Sequence, residues 1–168
     1  GNAGAVSVGG RLDASGLKGG SIIMTGADVR VGSTAKLSAN GLGDGGTILI
    51  GGDRHGGADA ATKFSLAPIA NATHTVVAAG AKISADGGVG GGIGKGGNIV
   101  LWSDQATSFD GTASARGGDM GGDGGFVETS GGELNVGEGA SVNALAANGK
   151  AGDWLLDPQF LIVGVGGV

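Results

Sequence analysis

A glycine pair followed at once by a short apolar run recurs along this chain. It reads GGSIIM from Gly19, GGTILI from Gly45, GGNIVLW from Gly96 and GGFVET from Gly124, with AGDWLL from Ala151 as a degenerate copy. Successive copies are offset by 26, 51, 28 and 27 residues, and the 51 reads as two periods with one blurred copy between them. Between the copies lie stretches such as Val29-Arg30-Val31 and Ala35-Lys36-Leu37-Ser38-Ala39, which alternate apolar and polar residues with the period of two that marks a strand buried on one face. No helical period accompanies them.

One period therefore holds about three strands of four or five residues, divided by turns rich in Gly, Asn and Asp, the residues that tolerate positive φ. A unit that short cannot bury its own apolar face, so consecutive units must stack. The fold expected on this basis is all-β, a right-handed parallel β-helix (solenoid) of about 26–28 residues per coil and roughly six coils. Residues 1–168 are expected to be one such segment of a longer protein, with an irregular insert at about 51–75.

Composition narrows the reading further. Glycine supplies 42 of the 168 residues, too many for a helical domain, since each helical glycine costs about 1 kcal/mol relative to alanine. The 40% of apolar residues are enough to fill a core and argue against disorder. A formal charge of −5, with ten Lys and Arg spread along the whole chain, disfavours nucleic acid as a partner. The longest apolar run, FLIVGVGGV near the end, falls short of the roughly 18 residues that a membrane-spanning helix needs, so no membrane insertion is expected.

The repeat assigns rows. Ile22, Ile48, Ile99, Val127 and Trp154 hold one equivalent place after the glycine pair; Met24, Ile50, Leu101 and Leu156 stand two further on, with Thr129 among them. Both rows are expected to face the core. The place between them holds Ile23, Leu49, Val100, Glu128 and Leu155, which strict alternation turns outward. An outward apolar stripe of Ile23, Leu49, Val100 and Leu155 calls for a cover: a loop, a neighbouring molecule or another segment of the same chain.

Motifs of chemistry are few. Calcium-binding β-rolls need aspartate at the sixth place of G-G-x-G-x-D, where Phe126 stands in one glycine cluster and Gly96 in the other. GGGIGKGG lacks the Ser or Thr after lysine that a phosphate loop requires, and matches to G-x-G-x-x-G are expected by chance in a chain this rich in glycine. Carboxylates fall in turns or at single polar positions with no pair set apart for acid–base work. Two histidines, His55 and His74, make no metal site by themselves. No catalytic residue, metal or cofactor is expected. The insert, GGDRHGGADAATKFSLAPIANATHTV, reads as a protruding loop or an oversized coil, and loops on rigid scaffolds are where recognition concentrates. Asp53, Arg54, His55, Lys63 and Phe64 are its candidates for partner contact.

The succession GGTILIGGDRHG, GGNIVLWSDQATSFDGTASARGG, GGDGGFVETSG and NGKAGDWLLDP resembles the carboxy-proximal repeats of filamentous-haemagglutinin-like adhesins, the large exoproteins that Gram-negative bacteria export by two-partner secretion. The resemblance implies a β-helical shaft, a secreted or cell-surface location, an outer-membrane transporter as partner during export, and a role in attachment to host or matrix glycans and proteins, biofilm cohesion or filament formation. It brings no catalytic residues. Self-association by stacking follows if end coils expose unpaired backbone. A β-helical polysaccharide-active enzyme or glycan-binding module is the alternative.

Overall fold

The computed structural model describes residues 4–163, and all its regular elements but one are strands. In chain order these are β1 (Ala5–Val8), β2 (Arg11–Asp13), β3 (Ser21–Met24), β4 (Asp28–Val31), β5 (Lys36–Ser38), β6 (Thr47–Ile50), β7 (His74–Val77), β8 (Lys82–Ser84), β9 (Asn98–Leu101), β10 (Ala106–Phe109), β11 (Thr112–Ser114), β12 (Phe126–Val136), β13 (Ser141–Asn143) and β14 (Asp153–Val163). The exception is a short 3-10 turn at Arg54–Gly57. Among the described residues no helix is long and apolar enough to cross a membrane.

Every ladder between named strands is parallel. One sheet runs β1-β4-β7-β10-β12-β9-β6-β3 with β14 also paired to β12, and a second runs β13-β11-β8-β5-β2. The expected right-handed β-helix of roughly six even coils is corrected by this order. Parallel sheets instead form a nearly closed, barrel-like arrangement about one axis, the eleven-residue β12 joining what would otherwise be two separate ladders. Nor are the steps even. Ala5 pairs with Asp28 and Asp28 with His74, while Thr47 pairs directly with Asn98, so the 51-residue offset is a single step and no blurred copy lies inside it.

The strands form where the sequence alternates. In β4, Val29 and Val31 turn inward while Asp28 and Arg30 turn out, and β7 and β10 repeat the pattern with Thr75 and Val77, then Thr107 and Phe109. Leu37, Ile83 and Ala113 line the five-stranded sheet in register. Ile22, Ile48, Ile99 and Val127 are in register and buried, as are Met24, Ile50 and Leu101. Each of the larger side chains contributes about 2 kcal/mol by leaving water. Trp154 and Leu156, expected in the same rows, are in register but 39% exposed, because β14 pairs only with β12 and no described strand covers its other edge. Trp154 keeps a bond from its indole Nε1 to Thr129 Oγ1, 3.0 Å.

The glycine pairs owe their identity to close approach. The second glycine of each donates its N–H to an alanine carbonyl across the interior: Gly20 to Ala14, Gly46 to Ala39, Gly97 to Ala85, Gly125 to Ala115 and Gly152 to Ala144, each at 2.7 Å. A Cβ on Gly97 would collide with the backbone of Gly45 and Gly46 in the layer beneath. None of these glycines needs positive φ.

Candidate functional site

The insert leaves the sheet after β6 and returns before β7, and its two ends are clasped by a bond from Ala72 N to Gly51 O, 2.6 Å. Between them the chain folds over the outer face of β6, β9 and β12. Its fixed point is Asp53, a buried carboxylate with no ion-pair partner among the described residues. Oδ1 accepts from the N–H of Arg54 and of Phe64, both 2.8 Å, and Oδ2 from the N–H of Ser65 at 2.9 Å and its hydroxyl at 2.5 Å. Burial alone would raise the Asp53 pKa, but the Ser65 hydroxyl and the three backbone donors outweigh it and hold the group below its ordinary value.

After Asp53 the chain turns through His55, the only non-glycine residue with positive φ (51°) among those described, and Gly56 (66°). The sharp turn lets Gly56 lie against the indole of Trp102, where a side chain would collide. It also aims the His55 N–H at Glu128, 3.1 Å from Oε1 and 3.4 Å from Oε2. Glu128 is the polar member of the outward file and is completely buried beneath the insert. Burial raises its pKa, with the His55 N–H opposing that rise. The Arg54 guanidinium stacks 4.5 Å from the Phe126 ring centroid and 6.0 Å from that of Phe64, and the two rings are 5.7 Å apart. Asn71 ties the far side down, its Nδ2 donating to Gly56 O at 3.1 Å and to Asp104 Oδ1 at 2.8 Å; Trp102 Nε1 donates to the same carboxylate oxygen at 3.1 Å.

Of the five residues singled out in the insert, Arg54, His55 and Phe64 thus reach Phe126 and Glu128 on the sheet and hold the insert to it, while Asp53 ties the insert to itself. Lys63 lies apart, on a cavity of about 240 Å³ shared with Asp53, Ser65, Pro68 and Ile69. In the outward stripe Leu49 and Val100 are buried, Ile23 is half exposed and Leu155 is partly buried. A groove of about 330 Å³ remains between Ile23 and Leu49 on the sheet and Phe64, Pro68 and Ile69 on the insert. Sequence reasoning missed Trp102, Phe126, Asn71 and the anchoring role of Glu128. The available signal was Glu128 itself, a carboxylate in an otherwise apolar file. Among the described residues no three His, Asp or Glu side chains are grouped so as to hold a metal ion.

No family model and no curated protein matches the chain. Among solved structures it is similar to the HMW1 secretion domain from Haemophilus influenzae, at 30% sequence identity with a TM-score of 0.68. The match covers 91% of this chain and 38% of that one, so the chain spans well under half of the protein it resembles.

Proposed function

We propose that the chain is a segment of a secreted bacterial adhesin, lying in the region that directs the protein out of the cell through an outer-membrane transporter. The observation that carries this reading is the likeness to the HMW1 secretion domain over 91% of the chain. The molecule works as a scaffold and not as an enzyme. Its task is to fold into a stiff body outside the cell and to display surfaces for attachment and cohesion. The two continuous parallel sheets support such a role, because their many backbone bonds resist bending, and the insert supports it by presenting the fully exposed Leu66 to solvent. Isolated copies associate end to end through the open edges of β1, β2 and β3, which offer unpaired backbone groups.

The test is a chimera in which this chain replaces its aligned region in the HMW1 secretion domain. Release of a protease-resistant chimera into the medium is the expected result. A chimera that folds, as judged by protease resistance, yet stays in the periplasm would overturn the proposal. Light scattering of the purified chain is expected to show mass rising with concentration; a strictly monomeric species would remove the end-to-end element.

A further inference from the structure

The outer face of the β4-β7-β10-β12-β14 ladder, away from the insert, carries a second feature. Register places Asp28, His74, Ala106, Glu133 and Phe160 in one row across the strands, and Arg30, Val76, Ser108, Asn135 and Ile162 in the next. Because Ala106 is the smallest member of its row, the face dips there. The result is a trough of about 450 Å³ lined by Asp28, Arg30, His74, Ser108, Glu133 and Asn135, with Val76 among the apolar atoms of its wall. His74 Nδ1 lies 3.1 Å from Asp28 Oδ1, which fixes one end. Arg30, Glu133 and Asn135 have no side-chain hydrogen bond or ion pair among the described residues, although polar side chains surround them. Phe160, in register with Glu133, stands at the other end with 70% of its surface exposed.

We propose that this trough binds an extended, uncharged oligosaccharide laid across the strands. Three arguments support this ligand class. Planar amide, carboxylate and guanidinium groups, free to bond in two directions at once, match pairs of neighbouring sugar hydroxyls. An exposed aromatic ring at the end of the row offers a platform for the apolar face of a pyranose, and a large exposed ring has no role in the core. Neighbouring strands are about 4.8 Å apart, nearly the advance per sugar of an extended β-1,4-linked chain, so successive sugars meet successive strands. The lining disfavours a polyanion: the carboxylates of Asp28 and Glu133 outnumber the Arg30 guanidinium and leave no cationic surplus to attract one.

The experiment is a calorimetric and NMR titration of the purified chain with cellopentaose, with penta-N-acetylchitopentaose and, as the charged comparison, with oligogalacturonate. One of the two neutral pentasaccharides is expected to bind and to shift the amide signals of β7, β10 and β12. Phe160→Ala and Asn135→Ala are each expected to weaken it about tenfold, as is Ala106→Gln, which fills the dip from outside without touching the core. Failure of both neutral probes at millimolar concentration would overturn the proposal. So would preference for the oligogalacturonate, or binding that survives all three substitutions. The chimera experiment above reads export and not sugar binding, so either proposal can fail alone.

Discussion

Asp53 and Glu128 are two buried carboxylates within one small site, yet their surroundings move their pKa values in opposite directions. Asp53 is surrounded by donors and held below 3.8; its contribution to stability is complete above that value and is lost as the pH falls through its folded-state pKa. Glu128 is raised above 4.5 by burial; its contribution is complete below 4.5 and is lost as the pH rises through its folded-state pKa. Asp53→Asn, which turns an amide NH2 toward backbone donors, is expected to cost about 2 kcal/mol and to make the insert sensitive to limited proteolysis. Glu128→Gln keeps an acceptor for the His55 N–H without a buried charge. Melting curves between pH 4 and 8 are expected to show the Gln variant losing less stability than the parent as the pH rises; parallel curves would refute the assignment. Glu128 was legible in the sequence only as an anomaly, because its partner is a backbone N–H 73 residues away. Asp53 was legible as a loop residue but not as a buried one, since burial came from folding the loop back on itself.

Among the elements, the alternating strands were the most readable. β4 and β5 follow from Val29, Val31 and Leu37, and their inward residues fill the core. The glycine pairs were readable as landmarks, but their cause was not: they yield room for a backbone bond across the interior, where bends had been expected. Gly97→Ala would drive a Cβ into the Gly45-Gly46 backbone, which cannot move without breaking the bond from Gly46 N to Ala39 O. That substitution is expected to abolish cooperative thermal unfolding or to lower stability by more than about 3 kcal/mol, a loss in the range of severe overpacking. The 51-residue step was misread because its extra length was counted as another period, when it holds an insert that covers Leu49 and Val100. Replacing residues 54–71 by a short turn is expected to expose that pair together with Phe126, raising binding of a hydrophobic dye; unchanged dye binding would show that the cover is dispensable. The exposed residues Leu17, Leu42, Ile93 and Met120 lie in glycine-dense stretches where no alternation could reveal them.

At the scale of the whole molecule, the sequence indicated stacked parallel strands and a likeness to exported adhesins, while the way the sheets close was hidden. Closure depends on β12 and β14 running eleven residues without a turn, and their Gly131-Gly132 and Pro158 read as interruptions when taken alone. Because the ladders are parallel throughout, each inner strand is bonded on both sides and each outer strand on one. Hydrogen exchange is therefore expected to be slowest in β5, β6, β8 and β9 and fastest in the outer strands β1, β2, β3, β13 and β14; uniform protection would contradict the strand order. The clasp from Ala72 to Gly51 bears on the molecule's future as well as its present. Since the two ends of the excursion are held a single bond apart, the scaffold does not register how much chain is paid out between them. New sequence introduced around the fully exposed Leu66 would reach solvent without disturbing a ladder, making that point a natural socket for grafted cargo.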